Sequence, residues 1–144
     1  MTREALDTSV VLAALLGWHD DHHTARLAVD RGLVASRLIV PAPVLVEAYS
    51  VMTRLPAPHR ISAADAAALL TDTFQGVPLV ALDAKEIWAL VSWLNEKKVT
   101  GGRAYDGHIL ACAKKGRASR LLTFNAKDFL AFDEGGIEIV RPGE

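Results

Sequence analysis

Residues 4–15, EALDTSVVLAAL, place one charged side chain, Asp7, between a short apolar run and a longer one. The first run has the length of a strand and the second that of a helix, so the segment reads as a strand feeding a helix with a carboxylate at the junction. A charge beside buried chain is costly unless something pairs with it. Whether Asp7 belongs to a site therefore depends on what the remaining acids do.

The same alternation continues to the end of the chain. Helical patterns over 8–16 and 19–32, the latter closed by Gly32, precede a buried strand, RLIVP, at 37–41. A helix over 42–54 stops at LPAP, Ser62 caps a helix over 62–76, and PLVAL at 78–82 reads as a strand. Asp83 caps a helix over 84–99, followed after TGG by a helix over 104–116. A strand at 119–124, a short helix at 126–132 and a last strand at 137–140 complete the pattern. Strands separated by helices predict an α/β fold, a mostly parallel sheet of about five strands with helices on both faces. In such sheets functional sites gather beyond the carboxyl ends of the strands, which is where Asp7 falls.

The 144 residues fit one domain, 1–144, with no repeat, linker or low-complexity tail. A chain of that length buries about 68–70% of its unfolded surface around one core. No uncharged apolar run reaches the roughly 18 residues of a membrane span, and MTREALD lacks the basic end and apolar centre of a signal peptide. A cytoplasmic protein is expected. Cys112 is the only cysteine, which excludes an internal disulfide and a thiolate zinc cluster. The net charge of −1 argues against a uniformly cationic nucleic-acid binder. Seven of the sixteen basic residues nonetheless lie between Lys97 and Arg120, against the single acid Asp106. That segment, with Arg103, Lys114 and Lys115, is the candidate surface for phosphate.

Glu47 shares a helix face with Val44, Ala48 and Val51, and Asp106 with Ile109, Leu110 and Ala113, so both carboxylates emerge from apolar stripes. Asn125 follows the strand RLLTF and Asp128 comes three residues later. Acids at a strand end and on buried helix faces can converge at one edge of the sheet. Two carboxylates ~4 Å apart at an effective dielectric near 20 repel by about 4 kcal/mol, so such a cluster requires a cation or raised pKa values. Oxygen donors without cysteine favour Mg²⁺ or Mn²⁺ over zinc.

With LDTSVVLAAL, VPAPVLVEAYSVM and YDGHILACAKKGRASRLLTFNAKDF in order, the chain resembles the PIN-domain ribonucleases, particularly VapC-type toxins of bacterial toxin–antitoxin pairs. The resemblance implies a three-layer PIN-like fold and a metal-dependent endoribonuclease acting on tRNA or rRNA. It implies one or two divalent ions held by an acidic quartet, of which Asp7, Glu47 and Asp106 match three members. The fourth place falls on Asn125 where many relatives carry aspartate, with Asp128 the nearby acid that compensates. Thr8, Ser9 and Thr123 are the hydroxyls placed to bond a carboxylate or a metal-bound water. The resemblance also implies a homodimer and a small antitoxin partner that obstructs the acidic site.

Other motifs offer less. His19 and His23 in HDDHH are one turn apart on the expected helix but at its polar start, and His108 points away from Asp106. On the helix 84–99 the stripe Ile87, Leu90, Val91 and Leu94 faces inward, leaving Trp88 and Trp93 for a second contact. A small-molecule phosphatase would want a second aspartate where Ser9 stands, and a phosphoacceptor receiver domain would want one at the end of PLVAL. A binding-only relative with a weakened metal site is the reading that Asn125 keeps open.

Overall fold

The computed structural model describes residues 2–132 and 135–144. In chain order the elements are β1 (Glu4–Leu6), α1 (Thr8–Leu15), α2 (His22–Val34), β2 (Leu38–Pro41), α3 (Ala42–Thr53) and α4 (Ala63–Phe74). They continue with β3 (Leu79–Val80), α5 (Ala84–Glu96), α6 (Arg103–Lys115), β4 (Arg120–Leu122), α7 (Ala126–Leu130) and β5 (Glu138–Val140). The five strands form one sheet in the order β3-β2-β1-β4-β5. Every pairing is parallel, with Glu4 in register with both Leu38 and Arg120.

The chain thus builds outward from β1 to β2 and β3, then returns to the other side for β4 and β5. The gap between β1 and β4 is where the direction of winding reverses, the position at which an open parallel sheet leaves a crevice. β1 is central and wholly buried, with hydrogen-bonded neighbours on both sides.

Two glycines show how both faces of the sheet are covered. A Cβ on Gly32 would lie 2.4 Å from Leu38 Cδ2, and one on Gly116 would lie 2.4 Å from Ile39 Cδ1. Leu38 and Ile39 are successive residues of β2 and point to opposite faces. Hence α2 lies against one face and the end of α6 against the other, each close enough to exclude a methyl group. Gly32 does not close its helix, as its position suggested, because α2 runs on to Val34. Its value is the absent side chain.

Other boundaries moved for identifiable reasons. The helix expected from residue 19 begins at His22, because the His19 Nδ1 accepts the Asp21 N–H at 3.0 Å in a preceding turn. PLVAL keeps only Leu79 and Val80 as strand and lies at the sheet edge, with β2 as its sole neighbour among the described strands. Ser62 and Asp83 do cap their helices, Asp83 in a reciprocal capping box with Glu86. On α5 the inward face holds Leu90 and Trp93, the latter stacked on Phe132 at 5.4 Å, whereas Val91 is 51% exposed. Trp88 alone of the two tryptophans faces outward, at 75% exposure.

Gly32→Ala is expected to destabilise the fold by about 1–3 kcal/mol, since buried Leu38 must yield and overpacked cores cost that much. Urea denaturation of the variant checks it, with an unchanged midpoint contradicting the tight α2–β2 contact.

Candidate active site

Asp7 is the residue before the first turn of α1, with an extended backbone, φ −81° and ψ 161°. An aspartate there ordinarily accepts an N–H from the turn that follows. Here no such cap bond forms. Its Oδ2 instead accepts the Ser9 hydroxyl at 2.8 Å and the Thr123 hydroxyl at 2.7 Å. Those hydroxyls have each donated their one proton, so the 3.4 Å separation between them is a contact and not a third bond. Each hydroxyl in turn accepts a backbone N–H, Ser9 from Phe124 at 3.0 Å and Thr123 from Asn125 at 2.9 Å. Asp7 is only 4% exposed, and its Oδ1 accepts no hydrogen bond among the described residues.

The crevice between β1 and β4 is therefore stitched by Asp7 and Thr123, and the backbone adds Asp7 N–H to Leu122 O at 3.0 Å. Glu47, from α3, and Asp106, from the first turn of α6, reach the same edge half-buried. Burial, followed by the negative charges of Asp7, Asp128 and Glu47, pushes the Asp106 carboxyl up to about 6 against the pull of Arg103. Burial also raises Glu47, which the Thr8 hydroxyl lowers, Asp7 raises and Arg54 lowers in turn. The Thr8 hydroxyl influences Glu47 without a hydrogen bond of normal geometry, and it is the one buried side-chain polar atom without a partner among the described residues.

These observations test the set against a divalent cation. The donors are all oxygens, Asp7 Oδ1 is unengaged, a buried hydroxyl is orphaned, and the Asp7 charge raises the proton affinity of both Glu47 and Asp106. All fit a hard cation and its bound water. Among the described residues no three acids close into a ready-made cage, so they meet as repelling charges and not as a finished ligand shell.

Asn125 precedes α7 and Asp128 lies in its first turn, and both are exposed. Asn125 precedes the helix without a side-chain cap bond, whereas the Asp128 charge is felt at Asp106. The basic segment divides. Arg103 lies at the acidic edge, its guanidinium 5.1 Å from the Phe132 ring centre and 3.4 Å from the Asp128 carbonyl. Lys114 and Lys115 lie at the far end of α6, about 18 Å along the axis from Arg103 at 1.5 Å per residue. Lys115 is engaged there by Glu86 at 2.6 Å and the Ala81 carbonyl at 2.8 Å. Arg54 was not anticipated, although as the residue that ends α3, seven after Glu47, it falls near the same face. Cys112 is buried, in keeping with core packing.

The chain is thus an all-parallel α/β domain that gathers oxygen donors at the switch point of its sheet. The PIN domain family matches residues 5–135, and the chain belongs to that family. It is 38% identical over 135 residues to Ribonuclease VapC40 of Mycobacterium tuberculosis, covering 94% of this chain and 96% of that protein. Among solved structures it is similar to Mycobacterium tuberculosis VapC20, described as a Sarcin-Ricin loop cleaving toxin, with a TM-score of 0.69 at 22% identity over 96% of this chain and 99% of that one. It is similar also to DNA-bound VapBC from Salmonella typhimurium, with a TM-score of 0.66 at 18% identity over 98% of both chains. No helix among the described residues is long and apolar enough to cross a membrane.

The raised Asp106 carboxyl has a consequence for stability in chelator. Its folded pKa of about 6 lies above the ordinary 3.8, so the folded state holds the proton more tightly. The resulting stabilisation is complete below about pH 4 and is lost as pH rises through about 6. Asp106→Asn should therefore melt like the parent at pH 4 and above it at pH 7.5. A displacement of that size corresponds to at most about 3 kcal/mol, which screening at a half-exposed carboxyl reduces to about 1 kcal/mol. Melting curves at the two pH values check this, a pH-independent difference being the contrary result.

Proposed function

We propose that the chain is an endoribonuclease, the toxin of a toxin–antitoxin pair, acting as a single domain over 1–144 in the cytoplasm. The observation that carries this reading is the convergence of half-buried Glu47 and Asp106 on Asp7, whose charge bears on both and whose Oδ1 is left open. Asp7, Glu47 and Asp106 would hold Mg²⁺ or Mn²⁺. Such an ion supplies neutralisation of the phosphodiester and a more acidic attacking water.

The chain's own groups do the positioning. Ser9 and Thr123 fix the Asp7 carboxylate through Oδ2 and so aim Oδ1. Arg103 brings a cation to the acidic edge, offsetting its repulsion of an RNA backbone. Asn125 adds an amide oxygen but no charge, while Asp128 adds charge without burial, so a second ion would bind weakly beside a tight first one. The expected substrate is tRNA or rRNA. A small antitoxin that obstructs the acidic edge and a second copy of the chain are the expected partners.

The competing phosphoryl-transfer readings lose ground at specific atoms. Ser9, where a phosphatase would place its second aspartate, is bound to Asp7 and Phe124. Asp83, after the edge strand β3, is committed to its capping box.

Asp7→Asn should lower RNA cleavage at saturating Mg²⁺ by two orders of magnitude or more, because the lost ligand acts in the transition state. Parent-like cleavage would overturn the assignment, and p-nitrophenyl phosphate and acetyl phosphate serve as control substrates. Calorimetric titration of RNA-free protein with Mn²⁺ should give one tight binding event. Asn125→Asp should strengthen a second and Asp128→Asn should weaken it; two equally tight sites in the parent contradict this account.

A further inference from the structure

A cavity of about 240 Å³ lies between α2 and the segment after β5, running from Glu4 and Arg120 at the amino ends of their strands to Leu122 and Val140 at the carboxyl ends. Arg31, Arg37, Arg120 and Arg141 line it together with Glu4 and Glu144. At about 30 Å³ per water, it admits a phosphate group without displacing a side chain. Gly143, at φ +92°, folds the chain back so that its Cα side approaches Thr24 of α2. Thr24 lies on the same α2 stripe as Ala28 and Arg31, at spacings of four and seven.

The four cations are not equally committed. Buried Glu4 takes Arg37 at 2.8 Å and Arg120 at 3.5 Å. The remaining pairs are long and solvent-exposed, Arg120 with Glu138 at 4.0 Å and Arg141 with Asp21 at 3.7 Å. Exposed pairs of this kind contribute little and exchange readily. The Arg31 guanidinium, itself exposed, makes no ion pair among the described residues. Arg141 rests on the Phe124 ring at 4.7 Å and donates to the Phe124 carbonyl at 3.4 Å. Phe124 donates its N–H to Ser9, which holds Asp7. Arg141 is thus the counterpart of Arg103: each guanidinium lies over a phenylalanine and reaches a carbonyl of the segment that carries Asn125 and Asp128.

We propose that Arg141, on the β5 side of the acidic edge opposite Arg103, and Arg31, on the same cavity but toward the amino ends of the strands, form a clamp for successive phosphates of an RNA strand that leaves the edge. This rests on the ribonuclease reading. A carboxylate cluster repels a polyanion, so a strand crossing it must be held by cations on either side. Planar guanidiniums pre-oriented by ring stacking match phosphate oxygens in pairs. The direct link from Arg141 through Phe124 to the Asp7 support favours the substrate strand over an acidic protein as the occupant.

The test uses the whole chain in an Asp7→Asn background, with a labelled single-stranded RNA followed by fluorescence anisotropy across a range of KCl. Arg31→Gln with Arg141→Gln should weaken binding about tenfold at low salt and reduce the slope of log K against log salt by about 1.4, the value for two contacts on single strands. Arg31→Gln alone, which breaks no contact within the fold, should reduce the slope by about 0.7. Arg141→Lys, which keeps the charge, should retain the slope. Unchanged affinity and slope in Arg31→Gln and in the double variant overturn the clamp. Thermal stabilisation of the parent by inorganic phosphate, lost in the double variant while RNA binding stays equal, assigns the cavity to a small free anion and also overturns it. Binding to an acidic protein partner lost in the double variant, with RNA binding intact, does the same. If the parent protein fails to cleave RNA, the nuclease reading falls while the binding result still reports on the two arginines.

Discussion

The position of everything at the acidic edge depends on how one buried carboxylate is held. Asp7 gives a single oxygen to two hydroxyls that come from opposite sides of the β1–β4 crevice, Ser9 from α1 and Thr123 from the end of β4. The same hydroxyls accept backbone N–H groups from residues 124 and 125, so the strand end, the helix start and the segment before α7 share one network. Glu4, three residues earlier and equally buried, shows the alternative. It is neutralised by Arg37 and Arg120, and the charge is satisfied within the fold. Asp7 receives dipoles where Glu4 receives cations. A buried carboxylate given hydrogen bonds but no countercharge, with two more carboxylates facing it, fits the cation proposed to bind there.

The cost of that arrangement appears in Asp106 and Glu47, whose carboxyls are both shifted toward the protonated form. The sheet must be rigid enough to keep three like charges together. Gly32 and Gly116 let helices approach β2 on both faces with no side chain between, and the central strand is buried on both sides. Rigid packing at the centre therefore supports electrostatic strain at the edge. Arg103 and Arg141, each resting on a phenylalanine ring, flank that edge, and the proposed clamp uses them to reconcile a negative site with a polyanionic substrate.

Local patterns in the sequence determined much of this. Strands alternating with helices led to the parallel α/β sheet, because each element's apolar period is a property of consecutive residues. The helix faces carrying Glu47 and Asp106 were legible for the same reason, as were the caps at Ser62 and Asp83, which are contacts across three residues. Asp7 stood out because a charge between two apolar runs needs a partner. The motifs' order, taken together, identified the family.

Features that depend on partners distant in the chain emerged only once the elements were packed. Gly32 reads locally as a helix stop, but its role comes from Leu38 on a neighbouring element. Trp93 turns inward and Val91 outward because Phe132 and α6 lie on one side of α5, a fact that its own periodicity does not contain. The basic segment looked continuous in sequence, yet a helix about 18 Å long separates Arg103 from Lys115. Conversely, Arg31, Arg37, Arg120 and Arg141 are scattered among acids in the sequence and meet only when α2, β2, β4 and the segment after β5 pack together. Charge density along a chain is one-dimensional, whereas the field at a surface sums over whatever the fold brings within a few ångströms, so the acids and Arg103 could be found from sequence and Arg141 could not.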